Sequence, residues 1–175
     1  NGHFNAYVFD DLAVNFPLDS GVLVVAGTWY PCLWVCTSST NRTTYINNSA
    51  TSANDTSAVS FVADGQAISD IGRFDAGVGQ FSPMNGSLAE MAIWNVALTA
   101  GEVDAYCKGA RAYTIRPASL KAYWPLDGLQ SPEPDLSGFA NNGTLVTGGG
   151  AITLAAGSPV MQFTPRWPQP DTFVA

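Results

Sequence analysis

Residues 86–103 read GSLAEMAIWNVALTAGEV, and their second half carries the strongest local structural signal in the chain. Thr99-Ala100-Gly101-Glu102 has the spacing of a capping box, in which the Thr99 hydroxyl accepts from the Glu102 N–H and the Glu102 carboxylate reaches back. Leu98 before the cap and Val103 after the first turn supply the matching hydrophobic staple. Gly109 is placed to close the helix in the left-handed conformation. Val103, Tyr106 and Cys107 then share one face, which should lie against a sheet. The first half raises a different question. Glu90 is a lone charge among Leu88, Met91, Ile93 and Trp94, so it is either a catalytic carboxylate in an apolar cleft or a tethered structural acid.

Outward from this stretch the chain alternates in short blocks bounded by turn residues. The expected strands are Phe4–Phe9, Val22–Ala26, Trp29–Cys36, Thr43–Ile46, Ala58–Val62, Ala67–Gly72, Ser87–Trp94, Leu120–Pro125 and Gly143–Val146. Turn formers separate them at Asp19-Ser20-Gly21, Asn47-Asn48-Ser49, Asp64-Gly65, Asn85-Gly86 and Asn142-Gly143. The polar stretch Thr37–Ser60 reads as a hairpin with long turns, because Tyr45 and Ile46 interrupt it. This pattern points to an all-β fold, an antiparallel β-sandwich or jelly roll, with one short helix. The sandwich is expected over 1–156. Residues 157–175, with Pro159, Pro165, Pro168 and Pro170, read as an extended Pro-rich arm. Its Met161, Phe163, Trp167 and Phe173 are costly to leave in water, so Phe163, Trp167 and Phe173 are expected to dock on a partner or back on the sandwich.

Composition narrows the function. The 175 residues fit one domain with a substantial core. Charged residues make up 12%, about half the usual share, while Ser, Thr, Asn and Gly supply polarity. The net charge is −7 and the seven basic residues are scattered, which argues against nucleic-acid binding. The longest apolar runs are too short to span a bilayer. With no signal peptide and Asn1 at the start, the expectation is a processed or partial protein. Cys32 and Cys36 fall on one face of a strand, roughly 13 Å apart and too far for a disulfide. The three cysteines are expected to be small buried hydrophobes.

The order of features resembles a family. GTWYPCLWVC (27–36), TTYINNSA (43–50), ISDIGRF (68–74) and FSPMNGSLAEMAIWNVALTAGEVDAYCKGA (81–110) look like the back two-thirds of a laminin G-like domain of the concanavalin A-like superfamily. The resemblance covers about 27–110, with the usual first strands missing or diverged before Val22. SLKAYWPLDG (119–128) and DLSGFANNGTL (135–145) resemble a segment that usually opens such a domain. Here the strand either closes the single sandwich or leads into further sequence, and closure is preferred because phage and bacterial chains of this kind often end so.

The resemblance implies site expectations. Superfamily endoglucanases carry a Glu-x-Asp-x-x-Glu strand whose two acids flank the substrate. Here Ala92 stands in the Asp place and Asn95 in that of the second Glu. The other glutamates are Glu102, committed to capping, and Glu133, in a Pro-rich loop. Nor is there a nucleophile elbow or a phosphate-cradling loop, and the single histidine is His3. A non-catalytic module is therefore expected, with Glu90, Trp94, Thr99 and Glu102 in structural roles. Calcium is the candidate cofactor, with Asp64, Asp70 and Asp75 as ligands and Asp127, Asp135, Asn141 and Asn142 as further loop oxygens. Tyr30 and Tyr45 are the candidates for stacking on a glycan. Asn41, Asn47, Asn54, Asn85 and Asn142 open Asn-x-Ser/Thr sequons, read here as turn composition. The expected setting is the surface of a virion, such as a phage, or the cell exterior. Other virion or surface proteins, further copies of the chain, or glycans are the expected partners.

Overall fold

The computed structural model describes residues 3–9, 15–58, 71–75, 81–83, 86–126 and 131–144. Strand β1 (His3–Phe9) pairs antiparallel with β2 (Asn15–Leu23), from Phe9 opposite Asn15 to His3 opposite Leu23. Asp19-Ser20-Gly21, expected to be a turn, lies inside β2 instead. Its turn chemistry is present, since Asp19 Oδ1 accepts from the Gly21 N–H at 2.8 Å and Gly21 takes φ +68°. Pairing with β1 carries the strand through it, and the register slips between His3 and Asn5 as at a bulge. The strand expected at Val22–Ala26 therefore ends at Leu23, and Val24 to Ala26 leave as a loop.

Strands β3 (Cys32–Ser38), β4 (Asn41–Ile46) and β5 (Asn48–Asp55) form an antiparallel meander. This corrects the reading of 37–60 as a hairpin with long turns. Ser39-Thr40 joins β3 to β4, and Asn47 alone, at φ 67°, turns β4 into β5. Trp29, Tyr30 and Pro31 precede β3 rather than belonging to it. Leu33 and Val35 are buried opposite Tyr45 and Thr43. The other face carries Arg42, Thr44 and Ile46, all fully buried, where β2 packs over β4 and β5.

Arg42 is 1% exposed, and the sheet satisfies it fully. Nη1 donates to Ser39 O at 2.7 Å, while Nη2 donates to Asp55 Oδ2 at 2.5 Å and to Ser57 O at 2.9 Å. The Ser57 N–H, with Arg42 second, holds the Asp55 carboxyl down at about 2. Buried guanidinium groups persist only with such complete pairing.

Short strands β6 (Arg73–Asp75) and β7 (Phe81–Pro83) pair with each other, Phe74 opposite Ser82. Strand β8 is confined to Met91–Trp94. The expected strand from Ser87 is interrupted because Glu90 takes φ 56°, outside the extended region. Strand β9 (Leu120–Trp124) lies antiparallel to β8, with Ala92 opposite Tyr123.

Helix α1 (Ala100–Cys107) starts at Thr99, with both halves of the capping box formed. It ends in a Schellman pattern, with Gly109 N–H on Tyr106 O (2.8 Å), Ala110 N–H on Ala105 O (2.9 Å) and Gly109 at φ 93°. Val103 is wholly buried with Leu33, Val35, Leu98 and Ile115, and Trp94, Tyr106 and Cys107 pack around them. A second buried group, Ala112, Leu120 and Tyr123, continues this core under β8 and β9.

Acid should unfold this arrangement. Asp55 and Glu102 both sit at about 2 in the folded protein, below their ordinary 3.8 and 4.5. Glu102 is held there by Arg116, then by Thr99. A depressed folded pKa contributes stability that is present above the unfolded value and lost as pH falls through the folded one. Unfolding free energy from urea titrations is expected to be level between pH 7 and 5 and to fall steadily from about pH 4.5 toward 2. A level profile down to pH 3 would contradict the assignment.

Candidate functional site

The loop leading into β8 brings Glu90 beneath α1 and against β9. Its left-handed backbone is fixed from both sides: its N–H donates to Pro125 O at 2.9 Å, and its carbonyl accepts the Tyr106 hydroxyl. The side chain, 15% exposed, accepts from Arg111 on Oε1 and from the Tyr123 hydroxyl on Oε2 at 2.6 Å. Arg111 also reaches the Tyr123 oxygen at 3.4 Å. Burial, followed by the Glu90 charge, raises Tyr106 well above the ordinary phenol value. Tyr123 is raised by burial and then by its bond to Glu90. Both phenols therefore stay protonated at neutral pH and serve as donors.

Trp94, four residues on, packs edge-on to Tyr106 at 5.6 Å between ring centres. Its indole N–H donates to Ile115 O at 2.7 Å. Glu102 is taken up by Thr99 (2.7 Å to the backbone N–H, 2.8 Å to the hydroxyl) and by Arg116. Glu133, 7% exposed, accepts the Leu126 N–H at 3.0 Å and bridges through its backbone to Gly143. The three glutamates thus hold three different joints of the fold. None of their bonded partners is another carboxylate.

A laminin G-like family model of the concanavalin A-like lectin/glucanases superfamily matches residues 1–104. The chain belongs to this superfamily. No curated protein and no solved structure matches it. The match begins at residue 1 and takes in β1 and β2, so of the two alternatives for the opening strands before Val22, missing or diverged, the first does not hold. It ends inside α1. Strand β9 and the loop 131–144 lie beyond it, yet Leu120 and Tyr123 complete the core.

Asp64 and Asp70 lie outside the described residues, as do Asp127, Phe163, Trp167 and Phe173, and Asp75 ends β6 opposite Phe81. Among the described residues no group of three or more His, Cys, Asp or Glu side chains is placed to hold a metal ion.

Asp135, with Asn141 and Asn142 nearby, is the described loop with the most carboxylate character. Its oxygens are already committed: Oδ1 accepts the N–H groups of Tyr123 and Ser137, each at 2.9 Å. Oδ2 accepts the Ser137 hydroxyl at 2.8 Å and the Asn141 N–H at 2.9 Å. Burial pushes the Asp135 carboxyl up, but these donors outweigh it and hold it below its ordinary value. A calcium ion would need the same lone pairs and would face N–H groups, so this loop does not fit one.

The two expected stacking residues sit apart in role. Tyr45 packs against the Leu33–Val35 core, and the Tyr30 hydroxyl accepts the Val25 N–H at 3.2 Å. Trp34, at the middle of β3 opposite the buried Thr44, is 44% exposed. Cys32, Cys36 and Cys107 are free thiols, each part-buried. Burial pushes Cys32 and Cys107 up to about 11.

Sequence reasoning missed Arg111, the cation on Glu90. Glu90→Gln keeps the shape but removes the charge that both Arg111 and Tyr123 address. It is expected to lower unfolding free energy by roughly 1.5–3 kcal/mol, the worth of hydrogen bonds to a charged group. Calorimetry or urea melts check this, and an unchanged midpoint would refute the structural role of the acid.

Proposed function

We propose that the protein is a non-catalytic binding and structural module displayed on the exterior of a virion, as a phage decoration or fibre-associated protein. The observation that carries the non-catalytic part is the Glu90 joint. The acid nearest the superfamily's catalytic strand position has both oxygens bonded to donors and Ala92 where a second acid would stand. A retaining glycosidase needs two carboxyl groups about 5–5.5 Å apart and open to substrate. Support for the virion setting comes from the sequence, through the YWPLDG and NNGT segments that resemble phage chains and the unpaired cysteines. The partners are other virion or surface proteins, including further copies of the chain. Mass spectrometry of purified particles tests this: the chain should copurify in a fixed, symmetry-related copy number, and its consistent absence would overturn the setting.

Carbohydrate binding is a second reading, favoured by one observation. Trp34 is a strand tryptophan that is 44% exposed, and an indole open to solvent is the kind of group on which a sugar ring stacks. A glycan array read with and without calcium tests it, with Trp34→Ala as the matched control. Flat binding across all sugars in both conditions would exclude this reading.

A further inference from the structure

The loop from β2 to β3 presents Leu23, Val24, Val25 and Trp29 to solvent at 61%, 37%, 58% and 37% exposure. It is a shaped element. Thr28 N–H closes a turn on Val25 O at 3.2 Å, Gly27 supplies φ +78°, and the Tyr30 hydroxyl pins the Val25 N–H. No charged residue occurs between Asp19 and Arg42, so the loop itself carries four exposed apolar side chains and no charge. Soluble chains rarely leave such a surface uncovered.

We propose that this loop is the docking surface for the chain's own C-terminal arm, residues 157–175, with Phe163 and Trp167 as its anchors. Three features of the arm match the surface. It carries Met161, Phe163, Trp167 and Phe173 but one Arg and one Asp, so it is apolar and neutral overall. A second copy of this chain, at net charge −7, approaches against repulsion, whereas the arm does not. The four prolines restrict the free arm, so ordering it costs less than ordering an ordinary tail. Geometry also permits it. The stretch from Thr144 to Phe163 spans up to roughly 60 Å when extended, against a radius of gyration of about 16 Å for a domain of this length. Such a tether gives the arm an effective concentration in the millimolar range, which a separate partner seldom reaches. This inference is independent of the virion and glycan readings.

Arg166, beside Trp167, provides the readout. In the full chain, Val25→Asp places a charge in the middle of the surface at a position where 58% exposure tolerates it. Trypsin cleavage after Arg166 is expected to be about tenfold faster than in the wild type, with far-UV circular dichroism unchanged. Reciprocally, the Phe163→Ser/Trp167→Ser variant should speed hydrogen exchange at residues 22–30 and increase binding of an apolar dye. Val25→Ser is the milder alternative if the aspartate disturbs folding. Equal cleavage rates in natively folded wild type and both Val25 variants would overturn the proposal. So would a concentration-dependent dimer in sedimentation whose 22–30 protection survives loss of the arm's aromatics, since a second copy would then be the occupant.

Discussion

Arg42→Ala is expected to remove roughly 3–5 kcal/mol of stability, the usual cost of leaving one half of a buried ion pair behind. The guanidinium is 1% exposed and joins three pieces of chain: the β3–β4 turn through Ser39 O, the end of β5 through Asp55, and the exit from β5 through Ser57 O. Alanine orphans those acceptors and opens a void where the side-chain stem packed. Set against a typical total of about 5–15 kcal/mol, this loss would leave much of the protein unfolded in mild urea. Lysine should not rescue it, because one ammonium cannot reproduce a planar fork that addresses three oxygens. Removing both partners is the informative control. Arg42→Met with Asp55→Ala leaves no uncompensated charge and should be less damaging than Arg42→Ala alone. Urea melts followed by circular dichroism decide it. A loss under about 1 kcal/mol for Arg42→Ala would mean that water replaces the guanidinium without cost.

Arg42 also shows where sequence reading stops. It stands in TNRTTY, a run whose polarity suggests a solvated turn, and nothing local announces a buried cation. Helix α1 was legible because capping box, staple and closing glycine all act within ten or so residues. Strand β5 was not, since NSATSAND has no apolar alternation and becomes a strand through its pairing with β4. Asp19-Ser20-Gly21 misled for the opposite reason: its turn chemistry is genuine, but β1 holds the chain extended on either side. VLVVA reads as one strand, but only Val22 and Leu23 belong to β2, and Leu23, Val24 and Val25 are exposed.

The Glu90 site was half legible. A single acid in an apolar stretch had to be either paired or functional, which the sequence states through burial cost alone. Its partners come from Tyr106 on α1, Arg111 in the following turn and Tyr123 on β9, up to 33 residues away. Only the β8–β9 pairing brings them together, and no spacing rule reports that. The left-handed φ at Glu90 was equally invisible, because glutamate has no preference for it.

Asp135→Asn, a nearly isosteric change, is expected to cost about 2–4 kcal/mol, and Asp135→Ala at least as much. Each carboxylate oxygen of Asp135 faces a backbone N–H: Tyr123 and Ser137 on one, Asn141 on the other. An asparagine amide can be flipped either way, and both orientations point its NH2 at a donor. At least one buried N–H then loses its acceptor, at about 1–3 kcal/mol each. The consequence is local before it is global. Asp135 fastens the loop 131–144 to β9, seconded by Leu136 N–H on Tyr123 O at 2.8 Å and by Asn141 Nδ2 on Lys121 O at 2.9 Å. The Trp124 indole donates to Asn141 O at 2.8 Å, so loosening the loop frees that ring and should red-shift its fluorescence ahead of unfolding. pH provides an internal check. Because the folded carboxyl lies below its ordinary 3.8, the wild type keeps its advantage above about pH 4 and loses it as the acid protonates. The stability gap between wild type and Asp135→Asn should therefore shrink on acidification. A gap under about 0.5 kcal/mol at pH 7, within the range of ordinary surface substitutions, would show that the loop is not held by this carboxylate.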